Sequence, residues 1–145
     1  YRKTAEATLK QNLAVASEVL YTDFKQLGYG ASGTSVLLAE SQRIRFQADF
    51  NNDGVVDTAE YSVSQLIQPN APRTLYRTIN SGTALELSLE VTSFKLEYFD
   101  AVGTTTSDPA LIKSIVIYIA TTRQYSTEGM NPTAHWECRI FPPNL

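Results

Sequence analysis

The sequence predicts an α+β domain in which one long N-terminal α-helix packs on antiparallel β-sheet. Apolar residues recur at steps of three and four up to about residue 27, and beyond residue 33 they alternate with polar residues. Helix and strands are thus segregated along the chain, which favours a helix layer on an antiparallel sheet. At 145 residues the chain fits a single domain, 1–145, with a helix over 1–28 and a β-rich head over 34–145.

The predicted helix covers residues 4–27. Its apolar stripe consists of Leu9, Leu13, Ala16, Leu20, Phe24 and Leu27. Gly28 and Gly30 follow the stripe, as is typical of a helix C-terminus. At 1.5 Å per residue the helix is roughly 36 Å long, so we expect it to project from a domain of this size. The helical pattern starts near residue 1 without an N-cap, so we expect that an upstream segment has been removed.

Alternating apolar and polar residues predict strands in the rest of the chain. These strands cover residues 43–48, 61–64, 74–79, 84–89, 94–99, 112–121 and 135–141. Residues 112–120 are nearly all β-branched or aromatic, and we expect this strand to be central. Pro142 and Pro143 prevent a regular ladder from continuing, so the last strand lies on an edge or ends there.

Charge and cysteine content exclude several classes of function. Fifteen acidic and twelve basic side chains give a net charge of −3. The chain therefore lacks the excess of positive charge that binds a phosphate backbone, and nucleic acid is not expected as a partner. Cys138 is the only cysteine in the sequence, which excludes an internal disulfide and a multi-thiolate metal site. No run of about 18 apolar residues occurs, so the given chain is not expected to span a membrane.

Residues 49–60 reproduce the D-x-[DN]-x-[DN]-G-x5-E spacing of a twelve-residue calcium loop. The predicted ligands of Ca²⁺ are Asp49, Asn51, Asp53, the carbonyl of Val55, Asp57 and Glu60. The flanks alternate like strands, so the loop sits in a hairpin and not between the helices of an EF-hand. The calcium hypothesis implies a stabilising ion with a Kd on the order of 10⁻⁴–10⁻³ M. The alternative is a solvated turn whose acidic residues keep the hairpin tip soluble.

No motif points to catalysis. His135 is the only histidine, and the sequence shows no base or nucleophile beside it. The nucleophile elbow, the P-loop, the dinucleotide-binding turn and the zinc-protease motif are all missing from the sequence. We therefore expect no enzymatic activity. A hydrolase with two facing carboxylates is the alternative that only a structure can test.

A series of segments along the chain carries a family resemblance. They are Asp23-Phe24-Lys25-Gln26-Leu27-Gly28-Tyr29, then Asp49-Phe50-Asn51-Asn52-Asp53-Gly54 followed by Glu60-Tyr61, then Thr74-Leu75-Tyr76-Arg77, then Leu96-Glu97-Tyr98-Phe99-Asp100 leading to Gly103, and the strand over 112–119. In order and spacing they resemble the minor pilins of the type IV pilus and the minor pseudopilins of type II secretion, the PilW-like and J-type members in particular. The family's peptidase site and apolar half-helix do not occur in the given sequence.

The resemblance implies a structural role. It implies a prepilin cut by a dedicated peptidase, a methylated N-terminus, and an apolar helix that anchors a periplasmic head in the inner membrane. The head would enter a pilus or pseudopilus within a tip or assembly-priming complex, with other minor pilins or pseudopilins as partners and, for J-type relatives, a secreted substrate. The alternative function is a free-standing, calcium-stabilised β-rich adhesin or binding module, which the loop over 49–60 supports.

Overall fold

The computed structural model describes residues 2–65, 72–122 and 133–145, with side chains from residue 7 onward. Across these residues it has one α-helix, α1 (Arg2–Lys25), a 3₁₀ turn at Pro109–Leu111 and seven strands. The strands are β1 (Val36–Ala39), β2 (Arg43–Ala48), β3 (Asp57–Val63), β4 (Arg73–Ile79), β5 (Leu85–Phe99), β6 (Ser114–Thr122) and β7 (Thr133–Ile140). No helix in the described ranges combines the length and apolar character of a membrane span.

The seven strands form one antiparallel sheet in the order β1-β2-β3-β4-β5-β6-β7. Each strand therefore pairs with its neighbours in sequence, and β1 and β7 are the two edges. The prediction that the last strand lies on an edge is confirmed. β6 contains most of the strand that was expected to be central, but it lies second from the edge.

The strands predicted over 84–89 and 94–99 are two halves of one strand, β5. β4 pairs with the first half and β6 with the second. Between them Glu90 adopts a φ of 61°, and the register with β6 shifts between Val91 and Ser93. The two strands predicted over 84–89 and 94–99 are therefore joined through a β-bulge. A bulge adds one residue to a strand without ending its hydrogen-bonded pairing. β1 is missing from the predicted set, since its four apolar residues do not alternate.

The predicted fold class, a long helix packed on antiparallel sheet, is wrong. The chain is mostly a curled seven-stranded antiparallel sheet, a half-barrel, with one helix. Register shifts in the β1–β2, β4–β5 and β5–β6 pairs accompany the curl, and such bulges increase the twist of a sheet. Residue periodicity reports which side chains face inward but does not report curvature, so a flat layer was expected.

A backbone hydrogen bond across the sheet demonstrates the curl. The N–H of Leu96 in β5 donates to the carbonyl of Ser41, between β1 and β2, at 2.7 Å. Tyr98 Oη in β5 donates to the carbonyl of Glu40 at 2.7 Å. In a flat sheet β1 and β5 would be about 19 Å apart, at 4.8 Å per strand. The half-barrel therefore brings the first hairpin against the middle of β5.

The core fills the inside of the half-barrel. The predicted apolar stripe of α1 is buried in full, together with inward side chains from every strand. Phe24 places its ring 5.2 Å from that of Phe46 in β2 and 5.5 Å from that of Tyr61 in β3. The C-terminal end of α1 is thus surrounded by sheet, which fixes the position of the helix.

Candidate functional site

The predicted calcium loop lies in the β2–β3 hairpin, as expected. Residues 49–56 connect the two strands, and Ala48 pairs with Asp57 at the base of the loop. Asp49, Asn51, Asp53 and Val55 therefore lie in the loop, whereas Asp57 and Glu60 belong to β3.

Asp49 holds the loop together from inside. Its side chain is buried, and its Oδ1 and Oδ2 accept hydrogen bonds from the N–H groups of Asp53, at 3.1 Å, and Gly54, at 2.8 Å. Its own N–H donates to the carbonyl of Tyr29 at 2.8 Å, and the Tyr29 hydroxyl donates to Asn52 Oδ1 at 2.8 Å. Asp49 therefore joins the loop to the turn that follows α1.

The other acidic side chains of the motif have separate partners. The N–H of Val55 donates to Asp53 Oδ1 at 2.9 Å, and this bond is the main cause of a lowered pKa for Asp53. Asp57 Oδ1 accepts a hydrogen bond at 3.0 Å from Nδ2 of Asn80, in the turn between β4 and β5. These bonds stabilise the hairpin without a metal ion.

Glu60 points to the sheet and pairs with two cations. Its Oε1 lies 3.1 Å from Arg43 Nη2 and 3.0 Å from Arg45 Nη2, both on β2. To act as the bidentate twelfth ligand it would have to leave both arginines. Within residues 2–65, 72–122 and 133–145, no three His, Cys, Asp or Glu side chains form a group that could hold a metal ion. Asp49, Asn51, Asp53 and the carbonyl of Val55 are the predicted ligands that remain in the loop, and calcium binding there stays a prediction.

Calcium binding is tested by thermal unfolding in 10 mM calcium and in excess chelator. With a Kd of about 10⁻³ M, linkage gives about 1.4 kcal/mol of stabilisation, which raises the Tm by about 4 °C. Asp53→Ala should abolish the rise, because it removes a ligand from the exposed part of the loop. Asp108→Ala, a carboxylate outside the motif, is the control. An unchanged Tm for the unsubstituted chain would contradict the calcium hypothesis.

A buried polar cluster joins α1 to two strands. Asp23 Oδ2 accepts hydrogen bonds from the Tyr61 hydroxyl and from Arg77 Nε, the latter at 2.6 Å. Arg77 Nε also lies 3.2 Å from the Tyr61 hydroxyl, and Tyr61 and Arg77 are paired residues of β3 and β4. Sequence reasoning missed this cluster, since 54 residues separate Asp23 from Arg77. The only signal in the sequence was a carboxylate next to the apolar stripe of a helix.

The environment of the cluster sets its protonation. Burial raises the pKa of Tyr61 well above its usual value, and the neighbouring Asp23 raises it further. Burial alone would lower the pKa of Arg77, but its hydrogen bond to Asp23 and the charge of Asp23 outweigh burial and raise it. Tyr61 therefore remains a neutral donor and Arg77 a cation, and both are held by one carboxylate. The cluster fastens the helix to β3 and β4.

Two grooves flank the middle of α1, between Leu9 and Ser17. The β5-side groove has a volume of about 310 Å³, and its lining includes Asn12, Val15, Glu86, Leu89 and Glu90. The β7-side groove has a volume of about 490 Å³, and its lining includes Lys10, Ala14, Ser17, His135 and Trp136. Leu13 lies at the bottom of both. The buried stripe of the helix thus has an open groove on each side along its middle turns.

The strand beside the second groove is a sheet edge. In the described part of the chain β7 pairs with β6 alone, over Thr133–Ile140. Edge strands carry unpaired backbone groups and are common sites of strand addition by a partner. The outer face of α1, the two grooves and β7 therefore form the candidate interaction surface.

No protein-family model matches the chain, and a comparison with curated proteins finds no match either. The resemblance to minor pilins thus stays a prediction from the sequence.

Proposed function

We propose that the chain is the head of a minor pilin or pseudopilin, a structural subunit of a type IV pilus or a type II secretion pseudopilus. The observation that carries the proposal is the surface beside α1. Asp23 and Phe24 fasten the C-terminal end of the helix to the sheet, while two grooves flank its middle, from Leu9 to Ser17. A helix that is fixed in the head and flanked by grooves can pack against neighbouring subunits.

Exposed apolar side chains beside α1 support an assembly role. Val15 of α1 is 58% exposed and Leu89 of β5 is 57% exposed, and both line the β5-side groove. Large apolar side chains that are exposed close together mark surfaces where other proteins bind. Together with the β7 edge, they provide a surface for other minor pilins or pseudopilins in a tip or assembly-priming complex.

The remaining parts of the proposal follow from the resemblance. An apolar helix upstream of the described residues would anchor the protein in the inner membrane, and the head would lie in the periplasm until it enters the filament. For a J-type role the complex would also contact a secreted substrate.

The proposal is tested with the full-length protein in its native host. We expect it to co-purify with minor subunits encoded by neighbouring genes, and Val15→Asp to reduce that recovery because it places a charge on the exposed face of α1. Val102→Asp, at a position 85% exposed on the β5–β6 loop, is the matched control. A protein that recovers no minor subunit, together with a gene deletion that leaves piliation and secretion intact, would contradict the proposal and favour the adhesin alternative.

A further inference from the structure

The edge of β7 presents the peptide groups of alternate residues, and the rest of the sheet shows which ones. In β5 the carbonyl of Phe99 accepts a hydrogen bond at 2.8 Å from the N–H of Lys113, which directly precedes β6. The N–H of Leu96 instead donates to Ser41, on the other side of β5. Because peptide groups point to alternate sides along a strand, the odd-numbered residues from 93 to 99 direct theirs to β6.

The register carries this alternation across to β7. Glu97 lies opposite Val116 in the β5–β6 pair, and Ile117 lies opposite Cys138 in the β6–β7 pair, with no register shift in either stretch. Glu97 and Val116 therefore form a hydrogen-bonded pair, and Ile117, the next residue of β6, directs its peptide groups to β7. Cys138 thus uses its peptide groups to pair with β6, whereas its two neighbours direct theirs to the sheet edge.

Those two neighbours are oppositely charged. Glu137 and Arg139 are exposed, and neither takes part in the three ion pairs found among the described residues. Arg139 Cζ lies 4.4 Å from the centre of the Phe99 ring, a contact that does not neutralise its charge. β7 therefore presents an acid and a base two residues apart, at positions whose peptide groups face the edge.

This spacing makes β7 complementary to itself. When two antiparallel copies are related by a twofold axis at Cys138, Glu137 of each copy lies opposite Arg139 of the other, in two hydrogen-bonded pairs. A shift to either adjacent hydrogen-bonded register places Glu137 opposite its own counterpart, or Arg139 opposite its own. Opposite charges directly across two strands are stabilising and like charges are destabilising, so charge selects the register centred on Cys138.

The inner face of β7 gains contacts in the same register. Ile140 is buried, whereas Trp136 and Cys138 are half-buried, although all three pack on the core. The twofold axis places Trp136 opposite Ile140 of the other copy and Cys138 opposite its own counterpart. The half-buried side chains at the edge are thus covered by apolar neighbours, which favours association.

We propose that two copies of this chain associate through antiparallel pairing of their β7 strands, centred on Cys138, so that their sheets become continuous. The contact joins the same surface of both copies and closes on itself, so association stops at a dimer. The inference goes beyond the proposed function and does not depend on it.

The dimer is expected to be weak, with a Kd on the order of 10⁻⁴ M, because a short stretch of one strand from each copy provides little buried area. An exposed ion pair changes a Kd by up to about fivefold. Reversal of one charge turns both Glu137–Arg139 attractions into repulsions, since the twofold axis repeats the pair. Each single reversal should therefore weaken the dimer by more than about tenfold.

The first test is sedimentation equilibrium of the 145-residue chain from about 20 μM to 1 mM in a reducing buffer. Glu137→Arg and Arg139→Glu are each expected to weaken the dimer more than about tenfold, and the double variant to restore it to within about threefold. Glu97→Arg and Lys95→Glu, at exposed positions of β5, match the net charges of the single variants and should dimerise like the unsubstituted chain. Thermal unfolding of each variant confirms that it is folded.

The second test uses Cys138 to report the register. Residues opposite each other in a non-hydrogen-bonded pair have Cα atoms about 4.5 Å apart, within the range of a disulfide. Oxidised glutathione, which takes up the two electrons and two protons, should therefore give a disulfide-linked dimer of the unsubstituted chain. Cys138→Ser combined with Thr133→Cys is the control, because the two thiols would then lie about 33 Å apart. It should cross-link at least about tenfold more slowly.

A single sedimenting species up to 1 mM would overturn the inference and leave β7 to other partners. A double variant as weak as the single variants would overturn it too, as would equal weakening by the β5 controls or equal cross-linking through Thr133→Cys. These outcomes are distinct from the co-purification test, because a head that does not bind itself can still bind other minor subunits.

Discussion

Asp23→Ala is expected to lower the free energy of unfolding by about 3 kcal/mol. The substitution removes the acceptor shared by Arg77 and the Tyr61 hydroxyl, and it leaves the Arg77 cation without its counter-ion and the buried Tyr61 hydroxyl without its acceptor. Breaking a buried ion pair from one side costs about 3–5 kcal/mol, and the lower value applies because the Arg77 side chain retains 22% exposure. Urea unfolding followed by circular dichroism measures the change.

Two further variants show whether the loss of stability comes from the cluster or from any substitution in α1. Glu18→Ala removes an exposed carboxylate from the same helix and should change stability by less than about 0.5 kcal/mol. Simultaneous Asp23→Leu, Tyr61→Phe and Arg77→Met removes all the polar partners together and should cost much less than Asp23→Ala alone. If Asp23→Ala proves as mild as Glu18→Ala, the cluster does not fasten the helix.

Phe24→Ala is expected to cost about 3–5 kcal/mol. Phe24 is completely buried, and its ring contacts those of Phe46 and Tyr61, so truncation loses apolar burial and leaves a cavity between helix and sheet. Phe141→Ala is the matched control, because that side chain is 62% exposed and should cost less than about 0.5 kcal/mol. Equal losses for the two variants would show that Phe24 does not hold the helix in the sheet.

Local patterns predicted local structure well in this chain. The α1 stripe, the alternating strand 43–48, the acidic hairpin and the edge position of β7 all follow from the spacing of apolar residues and from turn and proline chemistry. Such features depend on residues that are close in sequence. They require no knowledge of how the elements meet.

The overall architecture could not be predicted in the same way. Curling depends on bulges such as that at Glu90, and on a contact between Leu96 and Ser41 that joins chain segments far apart in sequence. The candidate site shows the same limit. The motif spacing placed Glu60 at a metal, but its alternation within β3 directs it toward Arg43 and Arg45. Neither pairing partner could be deduced from the motif itself.

The strand order of the sheet has a consequence for how the protein is made. Because every strand pairs with the strand before it, a chain that emerges N-terminus first can add each new strand to an existing edge. Each step closes only the connection between two consecutive strands, which favours rapid folding and limits the time for which unpaired strands are exposed. β7 is the last strand to emerge, so the edge that we propose as part of the interaction surface is complete only when synthesis of the sheet ends.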